Sequence, residues 1–249
     1  NRFNGLRGDY DWLHHHELSH EWWGNLVTCR DWKDMWIHEG FGTYMQALYL
    51  EEFRGPEAYR AELAKNRSRV SNRKPVAPRI SQGGQQIYFA GNYDNDVYFK
   101  GAWVLHALRW LIGDAALRES FRRFCYPTLE SVRAKDGSQV RFVSTEDYTK
   151  LVSQIARRNL DWFFEIYLRQ AKLPELIVED SHDGFLHLRW KTPKDLPFPM
   201  PVPLRVGDDL RRIQVPKQGT KVRIPKGRPY ELDPDIFLFR KHFRRRRLR

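Results

Sequence analysis

The sequence predicts an α+β protein, a mainly helical lobe followed by a small antiparallel β-sandwich. Three observations carry this reading. Up to about residue 174 apolar residues recur at helical spacing and the turns between runs are brief. Beyond Pro174 the chain breaks into short alternating runs separated by Pro and Gly. At 249 residues, with 41% apolar and 14% aromatic content, the chain can bury a core as one large domain or two ordinary ones. The implied division is a helical lobe over 1–174, a β-sandwich over 175–240 and a basic tail over 241–249.

Helices are expected over residues 12–23, 35–53, 56–70, 98–111, 114–124, 144–157 and 160–170. Ser144 followed by Thr145-Glu146-Asp147 reads as an N-cap, and Gly55-Pro56 places a proline at a first helical position. Residues 74–96 carry Pro75, Pro78, Gly83, Gly84 and Gly91, so they read as a long loop, a kind of segment often used for function. Strands are expected over 176–178, 185–190, 202–206, 211–215, 221–224 and 236–239, with Asp183-Gly184 as a hairpin turn between the first two.

Composition excludes several classes. The apolar and aromatic content rules out a disordered or collagen-like chain, and two cysteines cannot staple a small secreted scaffold. Cys29 and Cys125 are expected as free buried thiols. No run of 18 apolar residues exists, so no transmembrane segment is expected. Residues 1–9 are polar and mixed, unlike a signal or transit peptide, and an opening without Met suggests a piece of a longer chain. The formal net charge of +12 owes more than half to seven basic residues among the last ten. Such a run is expected to be a solvated end, so no specific nucleic-acid partner is expected.

The informative segment is His16-Glu17-Leu18-Ser19-His20. Histidines at i and i+4 lie one helical turn apart on one face, so both imidazoles can converge on one metal ion. A carboxylate beside them, Glu17, can take a proton from an activated water. Zinc suits two imidazoles and a carboxylate with an open fourth position, and it lowers the pKa of water to about 7. A third ligand is needed. Glu39, in Trp36-Ile37-His38-Glu39-Gly40 on the next expected helix, is a candidate, although spacing alone leaves that choice open.

The run from His16 to Asn25, followed by Trp36-Ile37-His38-Glu39-Gly40-Phe41, resembles the signature of the aminopeptidase N family of zinc metallopeptidases. The resemblance implies one Zn²⁺ held by His16, His20 and Glu39, with Glu17 as general base. Tyr98-Phe99-Lys100-Gly101 is similar to the family's Tyr-x-Lys-Gly segment. It implies that the Tyr98 hydroxyl stabilises the oxyanion, a role that suits a preorganised donor. Read from the residues alone, an aromatic such as Tyr98 at the start of an apolar helix is usually core, and it is the following Lys100-Gly101 that favours the functional role. Residues 160–174 resemble the close of the family's catalytic domain. The implied fold is a thermolysin-like catalytic lobe with an immunoglobulin-like β-domain after it. The implied function is removal of N-terminal residues from peptide substrates, with an N-terminal β-domain elsewhere in the full-length chain completing the cleft.

The match departs from the family at named places. His38 stands where Asn is usual, Gln46 where Glu is common, and the Gly-x-Met-Glu-Asn type motif that reads a free α-amine does not occur among the 15 residues before His16. An alternative reading is therefore a non-catalytic module that keeps zinc as a structural clip and uses its basic end on an anionic partner. A thermolysin-type endopeptidase shares the His16-to-His20 motif but not the Trp-x-x-Glu-Gly and Tyr-x-Lys-Gly contexts. His14 and His15 read as ordinary helix-start residues, and the cluster Trp12, Trp22, Trp23, Trp32 and Trp36 reads as core packing around the proposed ligands.

Overall fold

A computed structural model of the chain describes residues 10–90, 92–180 and 184–241, together with the backbone of 244–247. The expected opening segment and the Asp183 side of the hairpin turn lie outside the described residues. The chain forms two compact units, residues 1–159 and 160–249. The fold is α+β, with helices concentrated in the first unit and small sheets in the second.

In the first unit α1 (Trp12–Ser19) starts where Asp11 accepts the His14 backbone N–H at 3.0 Å. It ends earlier than the spacing predicts. A π-type turn over Glu21–Leu26 follows, broken by non-helical backbone at Trp23 and by Gly24 at φ +156°, a region open to glycine. Strand β1 (Val27–Cys29) leads to α2 (Trp36–Arg54), which stops at Gly55, and α3 (Pro56–Arg67) begins on the expected proline. Inside the expected loop lie a one-turn helix α4 (Gly84–Tyr88) and the two-residue strands β2 (Phe89–Ala90) and β3 (Asn92–Tyr93). Then come α5 (Asp96–Ile112), α6 (Asp114–Cys125) and the short α7 (Leu129–Arg133). Strand β4 (Arg141–Val143) pairs in parallel with β1, a pairing that three-residue apolar runs do not announce. Ser144 caps α8 (Thr145–Ile155) reciprocally with Asp147, as expected.

The core of this unit is aromatic. Trp36, Phe41, Tyr44, Trp103 and Tyr148 are fully buried, and the polar ends of the indoles are paired: Trp36 Nε1 donates to Thr145 Oγ1 (2.9 Å) and Trp103 Nε1 to the Leu63 carbonyl (2.7 Å). Trp23 and Trp36 thus fit the core reading. Trp12, Trp22 and Trp32 do not, being 41%, 42% and 49% exposed. Cys29 and Cys125 are free thiols, the first half-buried and the second buried. Among the described residues no helix is long and apolar enough to cross a membrane.

The second unit opens with α9 (Asp161–Phe164) and a π-type turn over Glu165–Arg169. The sequence puts the change of character at 174, yet these residues group with the strands. Phe163 and Tyr167 meet edge to face, and Tyr167 packs on Phe198 and Phe239. Strands β5 (Glu175–Asp180), β6 (Phe185–Lys191), β7 (Val202–Val206), β8 (Asp209–Ile213), β9 (Thr220–Arg223) and β10 (Tyr230–Leu232) form two sheets. One is ordered β10-β7-β8; in the other β5, β6 and β9 are neighbours, and all these pairs are antiparallel. On β6 the alternation is plain: Leu186, Leu188 and Trp190 are buried while Arg189 is exposed.

One expectation is corrected here. Residues 236–239 form no strand, because Asp233 and Ile236 take left-handed backbone (φ +56° and +55°) and the Asp233 carboxylate accepts the Leu238 N–H; Leu238 and Phe239 are buried all the same. The basic tail contains a strand, β11 (Arg244–Arg247), paired in parallel with Ile177–Asp180 of β5.

Helices α2 and α5 cross at close backbone approach. A Cβ on Gly40 would lie 2.8 Å from the Gly101 Cα, and one on Gly101 would lie 2.9 Å from the Gly40 Cα. Substituting Gly40→Ala forces the helices apart, and we expect a loss of roughly 1–3 kcal/mol of stability. Thermal unfolding checks this; an unchanged melting temperature would contradict the close crossing.

Candidate metal centre

Helix α1 carries His16 in its last turn and His20 at its C-terminal cap, and their rings lie 4.8 Å apart at 86° to one another. Helix α2 returns beside α1 with Glu39 in its first turn. The approach depends on a second glycine: a Cβ on Gly42 would lie 2.7 Å from Ser19 Oγ and 3.1 Å from His16 Cε1. Glu39 Oε2 then sits 3.2 Å from His16 Nε2 and 3.7 Å from His20 Nε2. The three donor atoms lie within 4.8 Å of one another, and among the described residues this is the one group of three or more His, Cys, Asp or Glu so arranged. Tetrahedral zinc with bonds of about 2.0–2.2 Å would separate its ligand atoms by about 3.3 Å.

The surrounding groups orient these donors. His20 Nδ1 lies 3.0 Å from the Trp23 carbonyl, so Nδ1–H donates there and the Nε2 lone pair faces the cluster. Tyr88 donates its hydroxyl to Glu39 Oε1 at 2.7 Å, which leaves Oε2 for the imidazoles. Burial pushes the Glu39 carboxyl up, but the hydrogen bonds from His16 and Tyr88 outweigh it, and the group is held below its ordinary value. Glu39 is therefore an anion at neutral pH, as a metal ligand must be.

Glu17 lies on the exposed side of α1 and Tyr98 in the first turn of α5; both line, with the three donors, one cavity of about 610 Å³. The Tyr98 ring is 5.9 Å from that of His16. The turn that carries Tyr98 is pinned from below. The Asp96 carboxylate accepts the backbone N–H groups of Ser71 (2.6 Å) and Asn72 (2.8 Å), and Asp94 accepts the Ser71 hydroxyl (3.1 Å). Lys100 is fully buried one turn further on, where burial pushes its pKa down to about 8 against the pull of Asp96 and Asp94.

All five residues singled out in the sequence are thus brought together. The neighbours are accounted for as well. His14 is exposed, and His15 packs on the Tyr49 ring at 4.7 Å. His38 is no ligand, since its Nε2 accepts the Cys29 N–H at 2.9 Å and burial pushes its pKa down to about 4, keeping it neutral. Gln46 donates to the Trp12 carbonyl at 2.6 Å, tying α2 to the start of α1. Tyr88 was the residue that sequence reasoning missed. Its one signal was position inside the long loop, because nothing in the spacing says that a five-residue helix forms there.

With this geometry in view, comparisons with known proteins are direct. Residues 12–167 match the peptidase family M1 domain. Aminopeptidase N of Lactococcus lactis is 24% identical over 180 residues, 69% of this chain and 20% of that protein. A structure of Legionella pneumophila aminopeptidase A in complex with aspartic acid covers 91% of this chain with a TM-score of 0.67 at 21% identity, using 26% of its own length. A mutant M1 zinc metallopeptidase from Deinococcus radiodurans, bound to a Tyr-Ser-Ala substrate, covers 67% of this chain with a TM-score of 0.52 at 28% identity, and 34% of its own length is used. The chain spans about a fifth of the length of the curated relatives it matches. A family match that runs from α1 through α9, and takes in every residue of the His16, His20 and Glu39 cluster, leads to one conclusion: this chain belongs to peptidase family M1.

Proposed function

We infer that the chain is the catalytic part of a zinc-dependent aminopeptidase that removes N-terminal residues from peptides. The observation that carries this is the convergence of His16 Nε2, His20 Nε2 and Glu39 Oε2 beside a cavity lined also by Glu17 and Tyr98. Two imidazoles at 3.2 and 3.7 Å from an anionic carboxylate, with all three ligand atoms within 4.8 Å of one another, suit one zinc ion per chain. The names of the relatives support the exopeptidase reading, and the Tyr-Ser-Ala bound to the Deinococcus enzyme supports peptides as the substrate class. The finer fold reading goes with it: a thermolysin-like catalytic lobe, and an immunoglobulin-like arrangement for the two small sheets.

When bound, zinc supplies Lewis acidity to a water and to the scissile carbonyl. Glu17, on the solvent side of α1, accepts a proton from the attacking water and delivers it to the leaving amine. Tyr98 donates its hydroxyl to the carbonyl oxygen as negative charge develops there. Tyr88 holds Glu39 in place without touching the substrate.

Glu17→Gln is expected to bind zinc stoichiometrically by elemental analysis and to lose about 10²–10⁴-fold in turnover of an aminoacyl anilide. Equal turnover by the variant and the unmodified protein would remove Glu17 from the mechanism. Tyr88→Phe is expected to weaken zinc binding about 10–100-fold, read by competition with a chelating dye. Stripping the metal is expected to lower the melting temperature, with zinc restoring it, because an ion that binds only the folded state stabilises it.

A further inference from the structure

Helix α3 supplies another wall of the cavity beside His16, His20 and Glu39, and a buried donor there has no partner within the described protein. Asn66 is 1% exposed and lines the cavity, yet its Nδ2 has no hydrogen-bond partner among the described residues. Buried polar groups left in that state are uncommon and call for an explanation. Arg69, also at the cavity, closes the end of α3 through its backbone N–H to the Asn66 carbonyl (3.1 Å). Its guanidinium lies 5.1 Å from the centre of the Phe99 ring, and no carboxylate among the described residues reaches it. Lys65 differs, being paired with Glu62 at 3.3 Å. Phe99 follows Tyr98, with ring centres 6.3 Å apart, so Tyr98 and Phe99 bridge from His16 to Arg69 along the cavity.

We propose that Asn66 and Arg69 form a subsite for a carboxylate of the bound peptide. The proposal rests on the peptidase reading and deepens it by naming the substrate class. Guanidinium and carboxylate match as planar partners, and the Phe99 face holds the guanidinium in one orientation. The Asn66 amide supplies a further N–H to a carboxylate oxygen. The Arg69 guanidinium, over the Phe99 ring at the α3 side of the cavity, is where an anionic part of the substrate is favoured. The preferred substrates are therefore short peptides whose C-terminal carboxylate, or acidic side chain just past the scissile bond, reaches α3.

The test measures binding to zinc-loaded Glu17→Gln protein by titration calorimetry, and cleavage by the unmodified protein. The probes are Ala-Ala-Ala, its C-terminal amide, and the pair Ala-Asp-amide and Ala-Asn-amide. At least one carboxylate-bearing probe is expected to bind roughly tenfold or more tightly than its neutral counterpart. Which pair shows the preference identifies the terminal or the side-chain source. Arg69→Met, a change at an exposed position, is expected to bring each pair within about twofold. Asn66→Asp, nearly isosteric, is expected to weaken the acids more than the amides. Equal binding within both pairs, or a preference that survives both substitutions, overturns the proposal. Discrimination in binding without any cleavage by the unmodified protein would instead sink the peptidase reading and leave the subsite standing.

Discussion

The crossing of α2 over α5 at bare backbone is the constraint on which the first unit depends. Gly40 and Gly101 have no side chains to hold the helices apart, so Glu39 on one helix and Tyr98 on the other reach the same cavity. Gly42 does the same on the face of α2 toward α1, where His16 and Ser19 occupy the volume a side chain would need. Two glycines in one helical turn would ordinarily weaken a helix. Here that loss is offset by aromatic burial around Trp36, Phe41 and Tyr44, in the stretch of α2 that carries Glu39.

Charge in the centre is organised around one buried carboxylate. Glu39 takes a phenol on one oxygen and faces two imidazoles with the other, so its anionic form is favoured even where burial opposes it. A second set of buried charges, Asp94, Asp96 and Lys100, fixes the chain where α5 begins. Breaking such a set by removing one partner is strongly unfavourable, which makes it a firm support for the neighbouring Tyr98.

Much of this was legible in the sequence, and the reasons are physical. Histidines four apart mark one helix face whatever surrounds them, so His16 and His20 could be read directly. Caps such as Ser144 with Asp147, and breaks such as Gly55-Pro56, act within a few residues and were readable for the same reason. What escaped depends on distant contacts. The pairing of β1 with β4 joins segments more than a hundred residues apart, and Tyr88 gains its role only when the loop folds onto Glu39. Trp12, Trp22 and Trp32 share the composition of core tryptophans, and only packing shows that they lie at the surface. The stretch 236–239 alternates like a strand, but Asp233 captures the Leu238 N–H that a ladder would have used.

The contact from Tyr88 to Glu39 joins two elements of very unequal length. The phenol belongs to a five-residue helix inside a stretch with little regular structure, whereas the carboxylate sits on a rigid nineteen-residue helix. Were that short helix to come away, Glu39 would lose this tether, so the hold on an ion bound there would depend on one local contact as well as on the stability of the whole unit.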